Sequence, residues 1–175
     1  MKRSDIKNLP NHYDTYINKV EDIELTEALE KFGKSFILAE RDKLIALGDK
    51  VYAPGKWTVK DIIQHIIDAE RVFSYRAMRF ARNDKTLLPP FEENDYAVTA
   101  EAIKRDLDEL LDEFYSVRES SIRLFKSFTP EMLVREGKMT SGDMSVVSLG
   151  FSIVGHTVHH IGILKERYYP LAPNT

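Results

Sequence analysis

At 175 residues, 43% hydrophobic and 30% charged, the chain has the makeup of a single globular domain, residues 1–175, large enough for a sizeable core. Its formal net charge of -3, with acids and bases interspersed, excludes the basic footprint of a nucleic-acid binder. The absence of cysteine removes disulfides, thiolate ligands and a cysteine nucleophile, and no run approaches the roughly 18 apolar residues of a membrane span. The opening Met1-Lys2-Arg3-Ser4-Asp5 carries no apolar signal segment, so the sequence reads as cytoplasmic.

Residues 1–20, with Pro10, Tyr13 and Tyr16, read as an ordered N-terminal arm. From about Glu21 to Leu47 the apolar residues Leu25, Leu29, Phe32, Phe36 and Ala39 step as on a helix. Gly33 inside it costs about 1 kcal/mol relative to alanine and invites a local break. Gly48 stops this helix, and Tyr52 to Lys56 form a turn. Trp57 then packs at the entrance of a second helix, about Val59 to Arg82, with Thr58 as cap and Asp61 adding negative charge to the first turn. Projected at about 100° per residue, Ile62, His65, Ile66, Ala69, Val72, Phe73, Arg76 and Phe80 share one face. His65 and Arg76 are its polar members, and each needs a partner, because an unsatisfied buried polar group costs about 1–3 kcal/mol.

Asn83 to Val98, with Pro89 and Pro90, is too long for a tight turn and can carry the chain back so that helices two and three run parallel. Phe91 and Tyr96 on it either close over a pocket or pack as ordinary loop residues. Helix three spans about Ala100 to Phe128, with Ile103, Leu107, Leu110, Phe114, Val117, Ser121, Leu124 and Phe128 as its stripe. Pro130 opens one short turn, and Gly137 to Gly142 read as loop. Asp143 or Ser145 then caps helix four, about Val146 to Tyr168. Four long helices without an alternating strand pattern make an all-α four-helix bundle.

Helix four carries the chemistry. His156 and His160, at i and i+4, lie at the centre of a core-facing stripe with Leu149, Ile153, Ile163 and Leu164. His159 sits about 60° aside, on a strip of mostly small residues with Ser148, Ser152 and Gly155. Val147, Phe151, Val154 and Val158 form a second apolar face, which asks for a central position or a second subunit, and a homodimer is expected. If helices two and four are antiparallel neighbours, His65 meets the His156/His160 pair at nearly one level.

Two readings stay open from the residues alone. The histidines are core residues satisfied by hydrogen bonds, or they are ligands of a divalent ion such as Zn, Ni, Fe, Mn or Co, with a position left open for water or substrate. Arg76 either anchors an acidic substrate or pairs with an acid of helix one or three. Asp68, one turn from His65, either orients an imidazole or pairs at the surface. Glu70 projects off the histidine face and reads as solvated or paired with a neighbouring segment.

The run Trp57-Thr58-Val59-Lys60-Asp61-Ile62-Ile63-Gln64-His65-Ile66-Ile67-Asp68-Ala69-Glu70-Arg71, continuing to Tyr75-Arg76, resembles the second-helix signature of the DinB/YfiT-like superfamily. Gly155-His156-Thr157-Val158-His159-His160, followed by Leu164-Lys165-Glu166-Arg167-Tyr168, resembles its last-helix signature. The resemblance spans about residues 13–170. It implies an up-down-down-up bundle and a divalent metal held by one histidine of helix two and an HxxxH pair of helix four, which fall here on His65, His156 and His160. It further implies a metal-dependent enzyme acting on a small molecule, either a transferase using a low-molecular-weight thiol or a hydrolase. A non-catalytic bundle with a stress-response role is the alternative.

Overall fold

Thr58 starts the longest helix as its spacing to Asp61 requires: its hydroxyl oxygen accepts from Asp61 N at 3.2 Å, and the Asp61 carboxylate accepts from Thr58 N at 2.9 Å. The computed structural model describes residues 1–8 and 13–173, so Pro10 of the arm lies outside the described residues. The helices are α1 (Asp14–Ile17), α2 (Leu25–Lys31), α3 (Lys34–Leu38), α4 (Arg41–Leu47), α5 (Val59–Ala81), α6 (Glu93–Ala100), α7 (Leu107–Lys126), α8 (Pro130–Leu133) and α9 (Val146–Ile163). An antiparallel hairpin, β1 (Glu136–Met139) and β2 (Gly142–Ser145), precedes α9, whose end continues through a π-helical turn over Leu164–Tyr168. Helix one of the bundle is the broken run α2 to α4, and α5, α7 and α9 are the other three. The order is up-down-down-up, with α5 packed on both α7 and α9, and α2 closing the ring against the same two.

Four elements depart from the sequence expectation. Helix one is not continuous; it breaks at Gly33 and again before α4. Helix three starts at Leu107 instead of Ala100, because Glu101 turns left-handed (φ 49°) and Asp106 supplies the new cap. Ile103, counted in the core stripe, is consequently 48% exposed. The crossover contains α6, capped by Glu92, and the loop expected over Gly137 to Gly142 belongs mostly to the hairpin. These short elements have too few residues for a periodic signal, and their caps and turns are the determinants.

The break at Gly33 has a partner on α7. Arg118 is 2% exposed, and its Nη1 donates to the carbonyls of Phe32 at 2.7 Å and Leu29 at 3.3 Å, the free carbonyls at the C-terminus of α2. Its Nε and Nη2 grip the Glu70 carboxylate of α5 at 2.9, 3.1 and 2.8 Å, and Nη2 also donates to Thr157 Oγ1 of α9 at 3.0 Å. A Cβ at residue 33 would stand 3.0 Å from the Leu29 carbonyl oxygen and 3.3 Å from Arg118 Cγ, so glycine leaves room for the guanidinium stem. Glu70 is thus not a solvated surface acid; it is equally buried, and a single side chain joins all four bundle helices.

The second apolar face of α9 is covered from within the chain. Val147, Phe151 and Val154 are buried in a core shared with Ile17, Val20, Leu25 and Leu29. Gly155 makes this possible, since a Cβ there would lie 2.0 Å from the Tyr16 carbonyl oxygen. The small-residue strip is therefore the seat of α1, and this face no longer asks for a second subunit. The same burial corrects the expectation that no run approaches a membrane span: the helical stretch Val146–Leu171, α9 and its continuation, is long and apolar enough to cross a membrane but is mostly buried inside the bundle.

Replacing one partner of a buried ion pair strands the other charge, so Arg118→Met is expected to cost about 3–5 kcal/mol. Urea denaturation checks this, and Arg118→Met/Glu70→Met should be more stable than Arg118→Met alone. A loss below about 1 kcal/mol, the range of exposed pairs, would contradict the role given to Arg118.

Candidate metal centre

His65 stands two turns into α5, and His156 and His160 project from one face of α9 near its far end. The antiparallel pairing of the two helices brings these side chains together. His65 Nε2 lies 2.9 Å from His156 Nε2, and His160 Nε2 lies 3.1 Å from the same atom. Ligand-capable atoms of all three fall within 4.8 Å of one another. His156 and His160 are 5% and 9% exposed, and His65 is partly buried.

This spacing favours ligation over a core held by hydrogen bonds alone. One ring nitrogen offers either one proton or one lone pair, so His156 Nε2 cannot serve two neighbouring nitrogens well. A cation satisfies all three lone pairs together. Two nitrogens each bonded to one ion at 2.0–2.1 Å stand about 3.0–3.4 Å apart, close to the 2.9 and 3.1 Å that separate His156 Nε2 from its two neighbours. The donor set fits a divalent metal.

Burial also sets the charge state. It pushes the His65 pKa down to about 4 and that of His160 down to about 3, with neighbouring histidines adding to the effect. His156 lies well below the usual value, first through burial and then through His160, His65 and His159. All three are neutral at pH 7 and present lone pairs, as ligation requires.

Other side chains fix the rings. Trp57 lies against His65 at a centroid distance of 4.8 Å, while its carbonyl accepts from Tyr168 Oη at 2.6 Å. Tyr16 meets the His156 ring edge-on at 5.2 Å and contacts His159 at the same distance. His159 is therefore turned aside to the arm, as its projection requires. Tyr16 and Gly155 were not singled out as site builders in the sequence; the signal was the small-residue strip beside His156.

His65 and His156 open onto a cavity of about 320 Å³, also lined by Tyr16, Phe73, Arg76, Phe91 and Glu93. His160 faces a smaller one of about 240 Å³ between Trp57 and Tyr168. Phe91 thus lines the pocket, while Tyr96 lies tilted against its ring with centroids 5.3 Å apart. Arg76 does not find the acid expected from helix one or three; its Nη2 donates to the Pro89 carbonyl at 2.8 Å. Asp68 accepts from Gln64 Nε2 at 3.0 Å and lies 3.7 Å from Arg71, so it faces its own helix and not an imidazole.

The depressed histidine values give the metal-free protein a pH dependence. The unfolded chain takes up protons near pH 6.5, where the folded one does not, so stability should fall as pH drops from about 6.5 toward 4. Each histidine contributes at most about 1.4 kcal/mol per pH unit. Thermal melts of metal-stripped wild type and His65→Ala check this: the wild-type melting temperature should fall more steeply over that interval. Parallel curves would refute it.

The DinB superfamily model matches residues 25–164 of the chain. Among solved structures, YfiT from Bacillus subtilis is similar at a TM-score of 0.68 and 17% identity, over 95% of this chain and 91% of that one. YfiT is described as a probable metal-dependent hydrolase with an unusual four-helix bundle topology. No curated protein matches.

Proposed function

Because this chain belongs to the DinB superfamily, we propose that it is a metal-dependent enzyme that transforms a small organic molecule in the cavity beside His65 and His156. The observation carrying this reading is the convergence of three neutral imidazole nitrogens, with His65 and His156 standing at the wall of that cavity. A site of three histidines leaves coordination positions free, and an ion serving structure alone is usually enclosed by protein ligands.

A divalent ion held by His65, His156 and His160 would favour the deprotonated form of a water or thiol bound to it at neutral pH. The chain's own groups prepare the surroundings. Burial, then Glu93 and Tyr13, raise the Tyr16 pKa, so its phenol keeps its proton and stands at the cavity wall as a hydrogen-bond donor. Phe73 and Phe91 supply apolar walls that limit water. A thiol as nucleophile makes the protein an S-transferase using a low-molecular-weight thiol; water as nucleophile makes it a hydrolase. The description of YfiT favours the second, and the absence of any cysteine means that a thiol, if used, comes from a cosubstrate.

Protein purified without a histidine tag is expected to carry about one divalent ion per chain by elemental analysis, and His65→Ala and His160→Ala to lose most of it. The metal-loaded protein should then turn over either model esters and amides, or thiols with chloronitrobenzene electrophiles. The same variants should abolish that turnover. Bound metal without turnover in either screen would favour a non-catalytic metal-binding bundle with a stress-response role. Wild type without metal would remove the reading.

A further inference from the structure

The chain buries two arginines among its described residues, and they are treated differently. Arg118 has a bidentate carboxylate, two carbonyls and a hydroxyl. Arg76 is 5% exposed and lines the cavity of His65 and His156, with one hydrogen bond, to the Pro89 carbonyl, and the Phe91 ring 5.9 Å from its guanidinium carbon. Among the described residues no carboxylate lies within ion-pair distance of it. A guanidinium has five N–H donors and stays charged, and taking it out of water costs several kcal/mol that a lone carbonyl only partly offsets.

The placement is as informative as the deficit. His65, Ala69, Phe73 and Arg76 follow one another along a single stripe of α5, and all four line the cavity. Ala69 keeps the middle open, and the Cα atoms of His65 and Arg76 are roughly 16 Å apart along the axis. A cationic end and a metal-binding end thus face one space with an apolar wall between them. From the hairpin turn, Thr140 and Ser141 also reach the cavity.

We infer that Arg76 is the anchor for a carboxylate, so that the cavity takes a small organic acid whose apolar body lies along Phe73 and Phe91 and whose other end points to His65 and His156. The inference deepens the enzymatic reading and rests on it for the fate of that other end, but not for the binding of the carboxylate. Glu93 lines the same cavity from the exposed first turn of α6 and opposes a second negative charge on the ligand. The favoured ligand is a monocarboxylate.

Calorimetric titration of the purified protein with 3-phenylpropionate and its neutral isostere 3-phenylpropionamide tests this, with metal content measured in each preparation. A charge-assisted contact contributes enough for the acid to bind roughly tenfold or more tightly than the amide. Arg76→Gln should abolish that preference without changing metal content, and Arg76→Lys should keep part of it. The exposed Glu93→Gln, which leaves the core untouched, should strengthen acid binding. The preference should survive removal of the metal, so a protein found to hold no ion would still pass this test. Equal binding of acid and amide by wild type, no binding of either at millimolar concentration, or a preference that persists in Arg76→Gln and vanishes on metal removal would each overturn the assignment.

Discussion

The Arg118 guanidinium is the constraint on which the arrangement depends. It reaches the carboxylate of Glu70 on α5, the free carbonyls of Leu29 and Phe32 at the end of α2, and the Thr157 hydroxyl on α9. Each group answers a separate cost: a buried carboxylate, a helix end without hydrogen-bond acceptors satisfied, and a hydroxyl inside the core. Because the donors of a guanidinium have a fixed fork geometry, satisfying them together fixes the four helices in register. Apolar packing alone is less exacting about register.

That register is what the histidines need. Thr157 follows His156 directly, and Glu70 stands five residues after His65, so Arg118 of α7 holds, through Glu70 and Thr157, the two helices that carry the imidazole cluster, α5 and α9. The other supports come from outside the bundle. Trp57 leans on His65 from the turn before α5, and Tyr16 leans on His156 from the arm. Gly155 admits the arm's backbone so closely that any larger residue would displace it. The histidines thus stand on two closely packed helices, and less regular segments wall the pocket beside them.

The bundle and the histidine cluster were legible in the sequence because both are periodic. His156 and His160 repeat at one helical turn, His65 lies on the apolar stripe of a helix with a readable cap, and the crossover is long enough to let helices two and three run parallel. What escaped was set by single contacts at a distance. Nothing in the spacing of Glu70 showed that Arg118, forty-eight residues away, would enclose it. Gly33 announced a possible break, but the reason for it sits on α7. The second apolar face of α9 suggested a partner subunit because the arm, with its short α1, carried too few periodic residues to be seen as the cover. Arg76 was correctly marked as a polar residue in need of a partner, and the structure leaves that need facing the cavity.

X-ray absorption at the edge of the metal carried by the purified protein tests the central claim most directly. The account predicts three imidazole nitrogens bound to the metal at about 2.0–2.1 Å, the distance usual for zinc, completed by exchangeable ligands such as water. Loss of one imidazole from the metal in His65→Ala should accompany the loss of affinity. A metal bound by carboxylates alone, or a protein that holds no ion when loaded at stoichiometric concentration, would contradict it.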